Sequence, residues 1–181
     1  MRLHVSKRAK GGEQLKPTSH PKMHKKTKSI LLALLVGAIA VPLIYAASVH
    51  FKGGNPTFTD NGTTLTTCFS LSGLGNGDVT ITVNTTGSAT TLCTNQGGNT
   101  APGQNKTPVQ PSGQVTIPST QIKNGNLSAC VTTTPPPTPT AAEAGCPNTN
   151  WSTSIADVQF ATATVTVVQG GQTVLQQTFK L

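Results

Sequence analysis

The stretch LTTCFSLSGLGNGDVTITV, residues 65–83, decides the fold. Leu65, Thr67, Phe69 and Leu71 alternate with polar neighbours, and after a break of Gly and Asn, Val79, Ile81 and Val83 alternate with Thr80, Thr82 and Asn84. A period of two places one set of side chains on a buried face and the other in solvent, so each run is a strand with one side in a core. Further candidate strands are Thr57 to Thr59, Ala89 to Cys93, Gln114 to Ile117, Leu127 to Thr132, Ser154 to Val168, bent or bulged, and Gln172 to Lys180.

Asn61-Gly62, Asn76-Gly77, Asn124-Gly125 and Gly170-Gly171 separate these runs and accept the positive φ angles of two-residue hairpin loops. No stretch after Ser48 carries apolar residues at helical spacing, so the expected fold is all-β. About eight short strands with Thr on outward positions suit a two-sheet immunoglobulin-like sandwich, with a barrel as the alternative. Two longer connections interrupt the pattern, Asn95 to Ser112 and the Pro-rich Thr132 to Gly145. The second is expected to be an extended, polyproline-like and solvated loop.

Nine of the thirteen basic residues precede residue 30, with Glu13 the one acid among them. Residues 1–29 therefore read as a basic, disordered n-region on the cytoplasmic side of a membrane. Met23 offers an alternative start that would shorten it to a compact signal-peptide n-region. Residues 30–47, ILLALLVGAIAVPLIYAA, hold no charge and would span about 27 Å as a helix, close to a bilayer core of about 30 Å. The segment is a signal-peptide h-region or a transmembrane anchor. Small residues at Ala46 to Ser48, with Pro42 shortly before, favour cleavage. Residues 48–181 are then exported, and membrane contact runs through 30–47.

Beyond that segment, Lys52, Lys106, Lys123 and Lys180 balance Asp60, Asp78, Glu143 and Asp157, so the exported part has zero formal charge. Without clustered cations there is no counterion release to drive nucleic-acid binding. The four cysteines, Cys68, Cys93, Cys130 and Cys146, all lie on the exported side, and an even count in an oxidising compartment points to two disulfides. No C-x-x-C pair is present to suggest zinc. Cys68 and Cys130 lie mid-strand, out of phase with the apolar set, whereas Cys93 and Cys146 lie where a strand or loop meets an Asn-containing turn. Like positions pair Cys68 with Cys130 and Cys93 with Cys146. The rival pairing joins sequence neighbours, Cys68 with Cys93 and Cys130 with Cys146.

Candidate chemistry is sparse. The exported part has one histidine, His50, in a lead-in segment, and its four carboxylates read mainly as turn or loop residues, so no triad or carboxylate pair is expected. Gly73 to Asp78 resembles one unit of a calcium-binding turn repeat but occurs once. No cofactor is expected. Trp151, just beyond Cys146-Pro147-Asn148, either packs on a disulfide, the favoured reading, or faces solvent as a ligand contact.

Val49-His50-Phe51-Lys52-Gly53-Gly54, Gly73-Leu74-Gly75-Asn76-Gly77-Asp78, Cys93-Thr94-Asn95 with Gly97-Gly98-Asn99, Pro102-Gly103-Gln104-Asn105 and Cys146-Pro147-Asn148 to Trp151 together resemble small secreted bacterial β proteins of the actinobacterial type. That group carries no assigned activity, so the resemblance implies a secreted β protein and transfers no catalytic residue. Three functional classes follow in order: a secreted or envelope-associated structural or interaction module, a carbohydrate- or envelope-binding module, and a hydrolase. The partner would be an envelope glycan or protein.

Overall fold

The structure, a computed structural model, describes residues 48–181. The basic tail 1–29 and the apolar segment 30–47, with the helix expected there, lie outside the described residues. No helix among the described residues is long and apolar enough to cross a membrane.

The described residues form ten strands: β1 His50–Phe51, β2 Thr57–Asp60, β3 Leu65–Ser72, β4 Val79–Thr94, β5 Thr100–Pro102, β6 Thr107–Val109, β7 Ser112–Ile117, β8 Leu127–Thr132, β9 Ser152–Gln169 and β10 Gln172–Lys180. They build two antiparallel sheets packed face to face. In the smaller sheet β3 is central, with β8 on one edge and β1 and β2 in succession on the other. In the larger sheet β4 and β9 pair along their whole lengths. β10 flanks β9, while β7, β6 and β5 follow one another along the far edge of β4.

Alternation fixes which faces meet. β3 buries Leu65, Thr67, Phe69 and Leu71, and β4 buries Val79, Ile81 and Val83. Phe69, Leu71, Val79, Ile81 and Val83 meet Ile117, Leu127, Val131, Val165, Val167 and Phe179 in the main core. Phe179 touches both Phe51 and Phe58, with ring centroids 5.7 and 5.4 Å away. A second cluster, Leu65, Ala89, Val109, Val158, Phe160 and Ala163, continues the core toward the far end of β4.

The structure departs from the sequence expectation in four places. Residues 79–83 and 89–93 are one strand, because the inward position between them, Thr85, is polar and hides the alternation. Its N–H and Oγ1 both donate to the Pro111 carbonyl at 2.9 Å, so burial leaves it satisfied. The connection 95–112 is also not structureless, since β5 and β6 use the β4 edge there. Asn76-Gly77 does not make a hairpin. The 73–78 segment carries the chain from one sheet to the other, with positive φ at Gly73 and the Gln169 carboxamide bonded to Gly75 N–H and to the Gly75 and Gly77 carbonyls.

Finally, the Pro-rich segment is not a solvated loop: Thr133, Pro136 and Pro139 are buried and the residues between them exposed. That is the three-residue period of polyproline helix lying with one edge on a surface. Its backbone is tied down where Thr133 N–H donates to the Leu65 carbonyl (3.0 Å) and Thr153 Oγ1 donates to the Pro139 carbonyl, and the Thr133 Oγ1 accepts from Leu65 N–H (3.0 Å).

Candidate functional site

At the far end of β4 the chain leaves the strand at Thr94 and reverses through Asn95 to Asn99. Asn95 N–H donates to the Asn99 carbonyl (3.0 Å), and the Asn95 Oδ1 accepts from Asn99 N–H (2.9 Å). β9 begins beside it after a second Asn turn, in which Asn148 Oδ1 accepts from Asn150 N–H at 3.0 Å. The Cys93–Cys146 bridge, Cα to Cα 5.7 Å, binds the roots of these two turns. Asn95 and Asn148 each follow a bridged cysteine by two residues.

Between the turns lies a shallow recess of about 270 Å³ lined by Asn95, Gln96, Gly97, Asn148, Asn150 and Trp151. Trp151 is half-buried. The lining therefore offers one indole and four carboxamides, and no ionisable group. Such a set stacks on an apolar ring face and exchanges hydrogen bonds with neutral hydroxyl or amide groups.

Thr140 to Cys146 closes the Pro-rich segment as a helical turn, with Ala144 N–H donating to the Thr140 carbonyl (2.9 Å). Thr140 and Glu143 cap one another: Thr140 N–H and Oγ1 donate to Glu143 Oε2 at 2.8 Å, and Glu143 N–H donates to Thr140 Oγ1 at 3.3 Å. These bonds hold the Glu143 carboxyl below its ordinary pKa. Asn105 fastens the turn to the sheet by donating to the Glu143 and Ala144 carbonyls. The T-x-x-E spacing at Thr140-Ala141-Ala142-Glu143 was the sequence signal for this turn.

The second bridge, Cys68–Cys130, joins directly opposed residues of β3 and β8 on the outer face of the smaller sheet. Cys130 is exposed and Cys68 half-buried. No cysteine is left free among the described residues. Two such bridges fit an oxidising, extracytoplasmic compartment.

Asp60 and Asp157 both border Gly62, while Asp78 and Glu143 lie toward opposite ends of the larger sheet. Asp60 Oδ1 accepts from Gly62 N–H and Asp78 Oδ1 from Ser119 N–H, both at 2.8 Å. Asp157 sits on β9 opposite Thr90. Asp78 precedes the first residue of β4, whereas Glu143 lies near its other end, and a 16-residue strand is about 50 Å long. His50 bonds to the Ser48 carbonyl and to Ser72 Oγ. Among the described residues no three His, Cys, Asp or Glu side chains are placed to share a metal ion.

No family model and no curated protein matches the chain.

Proposed function

We propose that the chain is a secreted or envelope-anchored structural and interaction module, of the small bacterial β type that its motifs resemble. The strand order supports an immunoglobulin-like sandwich, with β2-β3-β8 standing for strands A, B and E, and β10-β9-β4-β7 for G, F, C and C′. The observation that carries the reading is the outer face of the larger sheet. Three in-register rows on it, Thr116-Thr80-Val168-Thr173, Gln114-Thr82-Thr166-Gln176 and Ser112-Asn84-Thr164-Thr178, carry no charge, and the first cation beyond them is Lys180, opposite Thr162.

Thr80 with Thr116 and Thr164 with Thr178 are hydrogen-bonded across strands at 3.2 and 2.8 Å, so the hydroxyls are held in rows. An uncharged patch of hydrogen-bonded hydroxyl rows suits standing contact with a neutral partner better than capture and turnover of a small substrate. Residues 30–47 would deliver it across the membrane and either remain as its anchor or be removed.

Cell fractionation with N-terminal sequencing and intact mass tests this. The expected result is a folded chain in the envelope or medium, four hydrogens lighter than the reduced form. Reduced protein in the cytoplasm overturns it.

A second reading, a carbohydrate- or envelope-glycan-binding module, rests on the Trp151 recess. One ring beside four neutral carboxamides matches the two faces of a sugar, apolar C–H and polar O–H. Binding to neutral envelope polysaccharide that drops at least tenfold in Trp151→Ala, with unchanged unfolding, supports it. Equal binding by both proteins rejects it.

A further inference from the structure

We propose that the free edge of β10 is a self-association site, pairing antiparallel with β10 of a second copy of this chain. This stands apart from the Trp151 recess and borders the Thr face, with which it shares Gln176 and Thr178; it concerns the backbone edge of β10 rather than that face. The two borders of the larger sheet are built differently. On one, the edge is divided among three short strands and interrupted by Pro102, Pro108 and Pro111, which have no N–H to offer an incoming strand. On the other, β10 runs for nine residues without a proline, and its one charge is Lys180 at the end.

A bulge lies between Thr173 and Leu175, after which Leu175 to Lys180 keep unbroken register with Val167 to Thr162. Among the described residues this leaves a regular row of backbone donors and acceptors without a strand partner, the kind of edge that adds a further strand. Its occupant is a second copy because the edge is self-complementary. With a two-fold axis at Gln177, Gln176 faces Thr178, Leu175 faces Phe179, and Lys180 faces Val174, so no like charges meet.

The same pairing brings half-buried Val174 and the 45 % exposed Leu181 under the neighbouring strand. Residues 48–181 have zero formal charge, so two copies approach without net repulsion. The interface is isologous and closes on itself, giving a dimer rather than a fibre.

The test compares the full chain with its Gln176→Lys, Thr178→Lys double variant by sedimentation velocity over a range of concentrations. Both carry residues 1–47, so any association through that segment is common to the two. Gln176 and Thr178 are exposed, and the substitutions set lysine opposite lysine across the axis. The expected result is a concentration-dependent dimer in the parent and at least tenfold weaker dimerisation in the variant, with both disulfides and the thermal midpoint retained. Hydrogen exchange gives a readout without substitution: amides of Leu175 to Phe179 gain protection as the parent is concentrated. A parent that sediments as a monomer throughout, a variant that dimerises equally well, or β10 amides that exchange alike at every concentration overturns the proposal.

Discussion

Cys68 lies directly opposite Cys130 in the antiparallel ladder, their Cα atoms 4.0 Å apart, on a face open to solvent. Cys93, bonded to Cys146, is 0 % exposed. A thiolate must reach a sulfur to exchange with it, so accessibility ranks the two bridges. Under graded dithiothreitol in native buffer, alkylation and peptide mapping should find Cys68 and Cys130 labelled well before Cys93 and Cys146. Each bridge closes a long stretch of chain, 62 and 53 residues apart in sequence, for which loop entropy suggests about 4 kcal/mol. The Cys68→Ala, Cys130→Ala variant should therefore lose about 2–4 kcal/mol while keeping its β-sheet circular dichroism, because six β3–β8 residue pairs remain to set the register. Simultaneous reduction of the two bridges would defeat the ranking.

Three buried hydroxyls, those of Thr67, Thr91 and Thr107, have no hydrogen-bond partner among the described residues. Thr67 and Thr91 are each 0 % exposed, and neither Oγ1 has a hydrogen-bond acceptor or donor within reach. A buried unpaired hydroxyl costs on the order of 1–3 kcal/mol, and valine has nearly the same shape without it. Thr67→Val and Thr91→Val should each raise stability by about 1 kcal/mol in urea unfolding, at unchanged denaturant slope. Gly103→Ala should act in the opposite direction. Its Cβ would overlap Thr91 Oγ1 and lie 2.7 Å from the Ala144 carbonyl oxygen, costing about 1–3 kcal/mol. Stabilisation by Gly103→Ala would mean that the turn is not seated on β4 as described.

How much of this was legible in the residues follows from where alternation is clean. β8 and β10 begin and end where the apolar–polar pattern does, at Leu127–Thr132 and Gln172–Lys180. The unity of β4 was hidden by Thr85, whose inward side chain is satisfied by a carbonyl 26 residues away that no local pattern reports. β5 and β6 were hidden for a related reason: their few residues are held by the β4 edge rather than by propensity of their own. The mid-strand phase of Cys68 and Cys130 could be read from neighbours such as Leu65, Phe69 and Val131. The recess around Trp151 could not, because Asn95 and Asn148 are far apart in sequence and meet only through folding.

Glu143 supplies a pH dependence with a definite sign. Its carboxyl accepts bonds from Thr140 N–H and Oγ1, which lowers its pKa in the folded protein below the ordinary glutamate value. A group with a depressed folded pKa contributes stability above its unfolded pKa and loses it as pH falls through the folded one. The Thr140–Cys146 turn should therefore loosen below about pH 4, seen as faster amide exchange at Ala144 and Cys146 after correction for intrinsic rates. In Glu143→Gln this acid-dependent part should disappear. A variant that keeps the same acid response would assign it to another carboxylate.

The Pro-rich segment makes the sharpest test of the architecture, because its burial repeats every third residue while a strand's would repeat every second. Thr133, Pro136 and Pro139 are buried, whereas Pro135, Pro137 and Thr138 are exposed. A solvated linker would tolerate a charge at all of these positions. A polyproline edge seated on the protein would reject one only at the buried positions, where an unpaired ammonium loses its water. Pro136→Lys and Pro139→Lys should each cost about 2 kcal/mol or more in thermal or urea unfolding, while Pro135→Lys and Pro137→Lys stay within about 0.5 kcal/mol of the parent. All four replacements share the loss of a proline ring, so the unfolded-state entropy change is common to the two pairs and cancels in their comparison. What remains is position on the three-residue period. Equal effects at Pro136 and Pro137 would reject the seated segment.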